Sequence, residues 1–486
     1  MAIPSWRTGR IHGKMERNAI HRREFLVASG LGFAAAACGP TVLAVPPMKE
    51  TPTASRATAK STILIWLNGG PSHVDLWDMK PDAPRDIRGD FQSISTSAPG
   101  IDLCEHLPHL ARQAHHLALV RSLGQHGRGP NDHHPGYYYN LTGHPPGESF
   151  PNSRLAQPDD WPFVGSVVAH KLPAHPSLPS LVWLPTKSGE NGIHRPGAIA
   201  ARLGVQHDPL YVEGKHAAPL DFRSPALTLE GEVTAERLQN RHELLKTISD
   251  AERELEGSAS VRDYKLHQRK ALSLLTSQGS KTAFDVSREP ESVRQKYGNT
   301  VNAMSMLMAR RLVEAGVPFV TVYWYHDYEE DKKRGCLGGA WDTHWKNFSC
   351  LKDYLLPQFD QPFAALLDDL HTRGLLDQTL VVVTSEMGRT PKLGDPRSGG
   401  SGAAEPGRDH WTHCQTALLA GGGIRGGQVY GSSDKIGAYP AERQVGPEHI
   451  VHTIYHAMGI HDLEAIDNQN RPYNLLSEGK PLMELF

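Results

Sequence analysis

The segment 380-LVVVTSEMGRTP-391 limits what this chain can fold into more than any other stretch. An apolar, β-branched run has no polar face to offer water. It therefore reads as a parallel strand covered on both sides, and it delivers Glu386 to the carboxyl edge of its sheet. The run 62-TILIWLNGG-70 has the same character and enters a tight Asn-Gly-Gly turn. Helix and strand patterns alternate through much of the rest. A helix from about Leu107 to His116 precedes the strand LALVRSL, a helix over 292–316 precedes 317-VPFVTVYW-324, and a helix from Phe348 to Arg373 precedes the Glu386 strand. The strand 415-QTALLAGGG-423 and a helix in 447–460 follow. The expectation is an α/β fold, a mostly parallel sheet flanked by helices, with its chemistry at the carboxyl edge of the strands.

At 486 residues the chain has room for one catalytic domain with insertions. From about 147 to 278 the α/β rhythm gives way to Pro-rich loops, a short strand 181-LVWLP-185 and a charged helical stretch from Ala235 to Leu275, which reads as a cap-like, partly helical insertion. Lys plus Arg 51 against Asp plus Glu 53 leaves a formal net charge of -2, so no global field draws nucleic acid. The 27 His residues stand out, because imidazole is both the commonest metal ligand and the proton carrier near neutral pH.

The N-terminal stretch 21-HRREFLVASGLGFAAAAC-38 joins Arg22 and Arg23 to an Ala- and Gly-rich apolar segment too short to span a bilayer. It resembles a twin-arginine export signal. Residues 1–44 are read as this leader, starting at Met1 or Met15, with cleavage after Ala44 or lipid attachment at Cys38. Residues 45–60 read as a linker to a domain over 61–486. The expected location is the periplasm or cell surface, reached through the twin-arginine machinery, with no transmembrane helix in the mature chain. An oxidising compartment would permit a disulfide between Cys336 and Cys350.

The candidate chemistry lies in residues far apart in sequence. Asp342 and His344 are two apart in 340-AWDTH-344, so on an extended strand end both point to one side and can hold a single ion. Glu386 adds a carboxylate and His410 an imidazole, and zinc accepts both donor types. Arg389 and Arg121 are candidates for a substrate anion, since a guanidinium fork matches an oxyanion. The competing reading of each residue alone is structural: Asp342 caps a loop, Glu386 caps a helix, and His410 packs on Trp411.

The set 66-WLNGGPSHVDLWDMKPDAP-84, 141-LTG-143, 341-WDTH-344, 384-TSEMGRTP-391 and 408-RDHW-411 resembles the bacterial family known as domain of unknown function 1501, within the alkaline phosphatase and sulfatase superfamily. The resemblance runs from about Ile63 to Gly459. It implies an alkaline phosphatase-like sheet, two divalent metals, usually zinc or calcium, and hydrolysis of a phosphate or sulfate ester on a small molecule or polysaccharide. The superfamily's first metal ligand falls on Asn68, a weaker neutral donor, with Asp75 and Asp78 near enough to supply charge. The nucleophile position falls near 131-NDHHP-135, where no Cys, Ser or Thr stands. Three alternatives remain there: His133 attacks or ligates, metal-activated water replaces the covalent step, or hydrolysis has been lost and the protein binds an anionic glycan. Ser72 is the one hydroxyl close to the expected edge.

Overall fold

The computed structural model describes residues 59–189, 194–224, 240, 277–336, 338–394, 405–466 and 471–486. The leader, Cys38, nearly all of the linker and the stretch Ala235–Leu275 save residue 240 lie outside them. An eight-stranded sheet forms the centre. Its strands are β1 (Ser61–Trp66), β2 (Leu117–Leu123), β3 (Leu181–Leu184), β4 (Leu210–Tyr211), β5 (Phe319–Tyr323), β6 (Thr379–Thr384), β7 (Gln415–Ala420) and β8 (Gln428–Tyr430). Across the sheet they lie in the order β8-β2-β7-β6-β1-β5-β3-β4. β7 runs antiparallel to β6 and β2, and every other pairing is parallel.

The period-2 alternation of side chains sorts this apolar sheet into two faces, and each face has its own helices. Ile63 and Ile65 of β1 align with Val381 and Val383 on one side and with Val320 and Val322 on the other. Those residues pack with Met304, Met308 and Leu312 of α3 (Val301–Ala315) and with Phe359, Phe363, Leu366 and Leu370 of α4 (Leu356–Thr372). Leu64, Trp66, Val382 and Trp183 point the other way. They pack with Tyr137 and Leu141 of α1 (His133–Thr142), Val164 and Val168 of α2 (Val164–Lys171), and Ile450, Val451 and Ile454 of α5 (Pro447–Ala457). Helical spacing of three and four residues makes each set a single stripe.

Three expectations need correction. The helix over 292–316 is two helices, Glu291–Tyr297 and α3, because Gly298 turns at φ 107° and the Thr300 hydroxyl caps the second by accepting from Ala303 N at 3.1 Å. The helix from Leu107 to His116 shrinks to Pro108–Ala111 and a single 3₁₀ turn, Ala114–His116. The region 147–278 is not simply a cap: its described part supplies α2, β3 and β4. The apolar run Leu181–Leu184 needs cover on both faces, and a place in the sheet gives it that, with Val182 and Leu184 in one core cluster and Leu181 and Trp183 in the other. Among the described residues no helix is long and apolar enough to cross a membrane.

Phe359 is fully buried among Trp77, Trp324, Trp341 and Phe363, with ring centroids 5.1–6.4 Å away. Phe359→Ala is expected to cost about 3–5 kcal/mol. Urea denaturation should show the midpoint falling with the slope unchanged.

Candidate metal centre

Loops that follow β1, β5 and β6 are locked together at the carboxyl edge. Gly69 adopts φ +108°, and a Cβ there would stand 2.5 Å from Asp342 N, so only glycine lets the two loops touch. That approach lets Asn68 O accept from Trp341 N at 3.0 Å and lets Gly69 N donate to Glu386 Oε1 at 2.8 Å. Asp342 and His344 do not sit on a strand end as expected. Two tight turns carry them, with Thr343 N donating to Trp341 O at 3.0 Å and His344 N to Asp342 O at 3.1 Å. Both side chains reach the same cluster regardless. His410 arrives on a two-residue ladder that pairs Gly388–Arg389 with His410–Trp411. His133 opens α1, whose N-cap is Asp132.

Three ligand atoms form a near-regular triangle. Asp342 Oδ1 lies 2.9 Å from His344 Nε2 and 3.5 Å from His410 Nε2, and the two nitrogens are 3.1 Å apart. Tetrahedral ligands at the usual zinc–nitrogen distance stand about 3.3 Å from each other. The triangle therefore fits one face of a zinc tetrahedron, whereas calcium takes six or more oxygen ligands, which this nitrogen-rich set does not offer. Behind each imidazole stands a carboxylate: Asp409 Oδ1 is 3.4 Å from His344 Nδ1, and Asp132 Oδ1 is 3.5 Å from His410 Nδ1. Outer carboxylates of this kind fix the ring and raise its basicity. Asp132, His133 and His410 form a second group whose ligand atoms converge within 4.8 Å, sharing His410 with the first.

Charge is distributed unevenly across the cluster. Burial opposes ionisation of Asp342, but the Arg389 guanidinium and hydrogen bonds from His133, His344 and His410 hold its carboxyl well below the usual range. Burial likewise opposes the charge on Glu386, and the hydrogen bond and charge of His133 overcome it. His133 donates from Nδ1 to Glu386 Oε1 at 2.8 Å, and its Nε2 lies 3.5 Å from Asp342 Oδ2. Against the burial that would lower its pKa, these two carboxylates push it up to about 9. Burial, reinforced by the charges on Arg389 and His133, lowers the pKa of His410 despite its contact with Asp342. His410 is thus neutral and able to ligate, while His133 is an imidazolium at neutral pH.

The remaining predicted residues are placed as follows. Glu386 lies outside both triads, with Oε2 accepting from Ser385 Oγ at 2.9 Å, and it acts on the cluster through His133. Asn68 Oδ1 accepts from the Tyr137 hydroxyl, which also meets the Tyr323 hydroxyl at 2.8 Å. Asp75 is taken up by Arg408 through two 2.7 Å contacts and by Asn347 Nδ2 at 2.8 Å. Asp78 is taken up by Lys80, Ser433 and Arg121, and Arg121 also donates to Trp77 O at 2.9 Å. Arg389 is fully buried, donating to Gly70 O at 2.8 Å, to Gly69 O and to Asp342. It orients Asp342 and turns no face to a substrate. Ser72 is fully buried ahead of the short helix His73–Leu76, and its hydroxyl finds no hydrogen-bond partner.

Sequence reasoning passed over Asp132, Asp409 and Tyr137. Each left a signal. Asp132 and Asp409 directly precede His133 and His410, and Tyr137 lies one helical turn beyond His133 on the same face.

With its pKa raised, His133 contributes stability that is full below the ordinary imidazole value of about 6.5 and is lost as pH climbs through the folded value. The metal-free protein should therefore lose thermal stability between neutral pH and about pH 9. His133→Gln should flatten that loss, and a melting series across this range tests it.

The family described as "Protein of unknown function (DUF1501)" matches residues 59–486. No curated protein matches the chain. Among solved structures, similarity is found to the PsFucS1 sulfatase from Pseudoalteromonas sp., at 12% identity, covering 84% of this chain and 69% of that one, with a TM-score of 0.37. The phosphonate monoester hydrolase SpPMH from Silicibacter pomeroyi is similar at 12% identity, with coverage of 87% and 76% and a TM-score of 0.36. An alkaline phosphatase from the Antarctic bacterium TAB5 is similar at 12% identity, with coverage of 84% and 99% and a TM-score of 0.34.

Proposed function

The chain belongs to the DUF1501 family, and from that premise we propose that it is an exported, metal-dependent hydrolase of a phosphate or sulfate ester. The observation that carries this reading is the triangle of Asp342 Oδ1, His344 Nε2 and His410 Nε2, whose edges of 2.9–3.5 Å match a tetrahedral metal face. A divalent ion held there would polarise an ester oxygen and make water nucleophilic near neutral pH.

The chain's own residues have separable tasks in this reading. Asp342, His344 and His410 would hold the ion, with Asp409 and Asp132 steadying the two rings. Arg389 keeps Asp342 ionised and oriented. His133 keeps Nδ1 on Glu386 and offers a proton from Nε2 at the edge of the cluster, where a departing ester oxygen needs one. Both ring nitrogens of His133 lie against carboxylates, Nδ1 on Glu386 and Nε2 beside Asp342, so water is the nucleophile in this reading. Export draws support from Arg22-Arg23 and its apolar sequel, and from the Cys336–Cys350 disulfide, a bond at home in oxidising compartments.

One observation favours a second reading, a non-catalytic binder of anionic glycans. The hydroxyl that the sequence offered at the expected edge, on Ser72, is fully buried and without a hydrogen-bond partner, so it gives the cluster no covalent nucleophile.

Elemental analysis of the zinc-supplemented protein, followed by a screen of aryl phosphates and aryl sulfates, separates the two. Bound zinc with turnover is expected, and Asp342→Ala/His344→Ala should lose both, with affinity down by about 100-fold or more. Turnover that survives this double variant would overturn the assigned site. Zinc without turnover on any ester would leave the binder as the better description.

A further inference from the structure

The loop that carries Asp342 and His344 is closed by a covalent bond. Cys336 and Cys350, 14 residues apart, form a disulfide with Cα atoms 5.9 Å apart. Each end of this loop is tied to regular structure. Cys336 N donates to Asp331 O at 2.8 Å at the end of the helix Tyr328–Arg334, and Cys350 N donates to Lys346 O at 2.8 Å within the helix Asn347–Cys350. Between these anchors the backbone is costly to hold. Ala340 and Lys346 both take φ 50°, a left-handed conformation that side chains disfavour, on either side of the two tight turns that aim the ligands.

The surrounding chain also holds this loop, through backbone bonds, through ion pairs at its two ligands and through Asn347 and Lys346 beyond them. Asn68 O accepts from Trp341 N at 3.0 Å, Thr343 O accepts from Arg408 N at 3.0 Å, and Arg389 grips the Asp342 carboxylate. Those contacts fix where the loop sits, and the disulfide limits the conformations it explores when they open. Closing a loop of this length removes conformational freedom equivalent to a factor on the order of 100 in an equilibrium constant. Two of the three corners of the triangle lie inside it, so metal affinity gains a share of that factor, with the whole of it as the upper bound. The other described thiols, Cys104 and Cys414, are buried and lie in no such loop.

We propose that the Cys336–Cys350 disulfide is a positioning device for the metal centre, so that the chain binds its divalent ion tightly only when oxidised. This rests on the metal-binding reading above. Forming the bond takes two electrons and two protons from the paired thiols, and a disulfide oxidant such as oxidised glutathione accepts them. The reduced chain would hold the ion weakly, and oxidation would complete the site.

Cobalt(II) titration of the full chain tests this, because its visible absorption reports both affinity and tetrahedral geometry. The oxidised wild type is expected to bind with a tetrahedral spectrum, and Cys336→Ser/Cys350→Ser to bind about 10- to 100-fold more weakly at a temperature where circular dichroism shows it folded. A merely structural bond would lower the melting temperature and leave that affinity unchanged. If the double variant does not fold, the wild type serves: phosphine reduction should weaken cobalt binding, and oxidised glutathione should restore it. Equal affinity in oxidised and reduced protein overturns the positioning role alone. No binding by the oxidised wild type overturns the metal reading and this inference together.

Discussion

A buried carboxylate must be matched by nearby positive charge or it will take up a proton. Asp342 meets that requirement with the Arg389 guanidinium from the β6 side and His133 of α1, and it takes further hydrogen bonds from His410 on the short ladder and His344 in its own loop. Each partner comes from a different part of the chain, so the charge at Asp342 determines which loops can be neighbours. The glycine at position 69 makes the approach sterically possible, and the buried sheet beneath supplies the rigid base from which the loops project. The cluster is also asymmetric: one histidine is held charged and another neutral within the same few ångströms. Such a split is how one site comes to offer a proton and a ligand lone pair at a single pH.

The fold was legible in the sequence wherever periodicity spoke. The uninterrupted apolar character of the β1 and β6 segments foretold strands covered on both sides, and the alternation of helix and strand foretold a mostly parallel sheet. The reading failed where local chemistry overrode pattern. Gly298 and the Thr300 cap divided a helix whose apolar stripe runs on across the break. The run 181–185 was legible as the strand β3 but not as a member of the central sheet, and the two-residue β4 leaves no periodicity to detect.

The site was legible in part. Asp342, His344, His410 and His133 do converge; residue type at expected sheet-edge positions found the first three, and the family resemblance pointed to His133. Asp75 and Asp78 also had the right type and location, but a carboxylate's partner is a three-dimensional fact. Arg408 and Arg121 lie 333 and 43 residues away from them in the chain, and nothing local announces either pairing. Arg389 carries the same lesson from the other side: proximity to the site was readable, but its commitment to Asp342 and two glycine carbonyls was not.

The ladder that pairs Arg389 with His410 is only two residues long on each side, yet it clamps the base of everything between them. Because its two strands fix both side chains at the stem, residues can be added to or removed from the intervening segment at small entropic cost, about 0.6 kcal/mol per doubling of length. Changes in chain length between the two arms therefore leave Arg389 and His410 where the ladder holds them. The ladder makes the placement of two cluster residues independent of how much chain joins them.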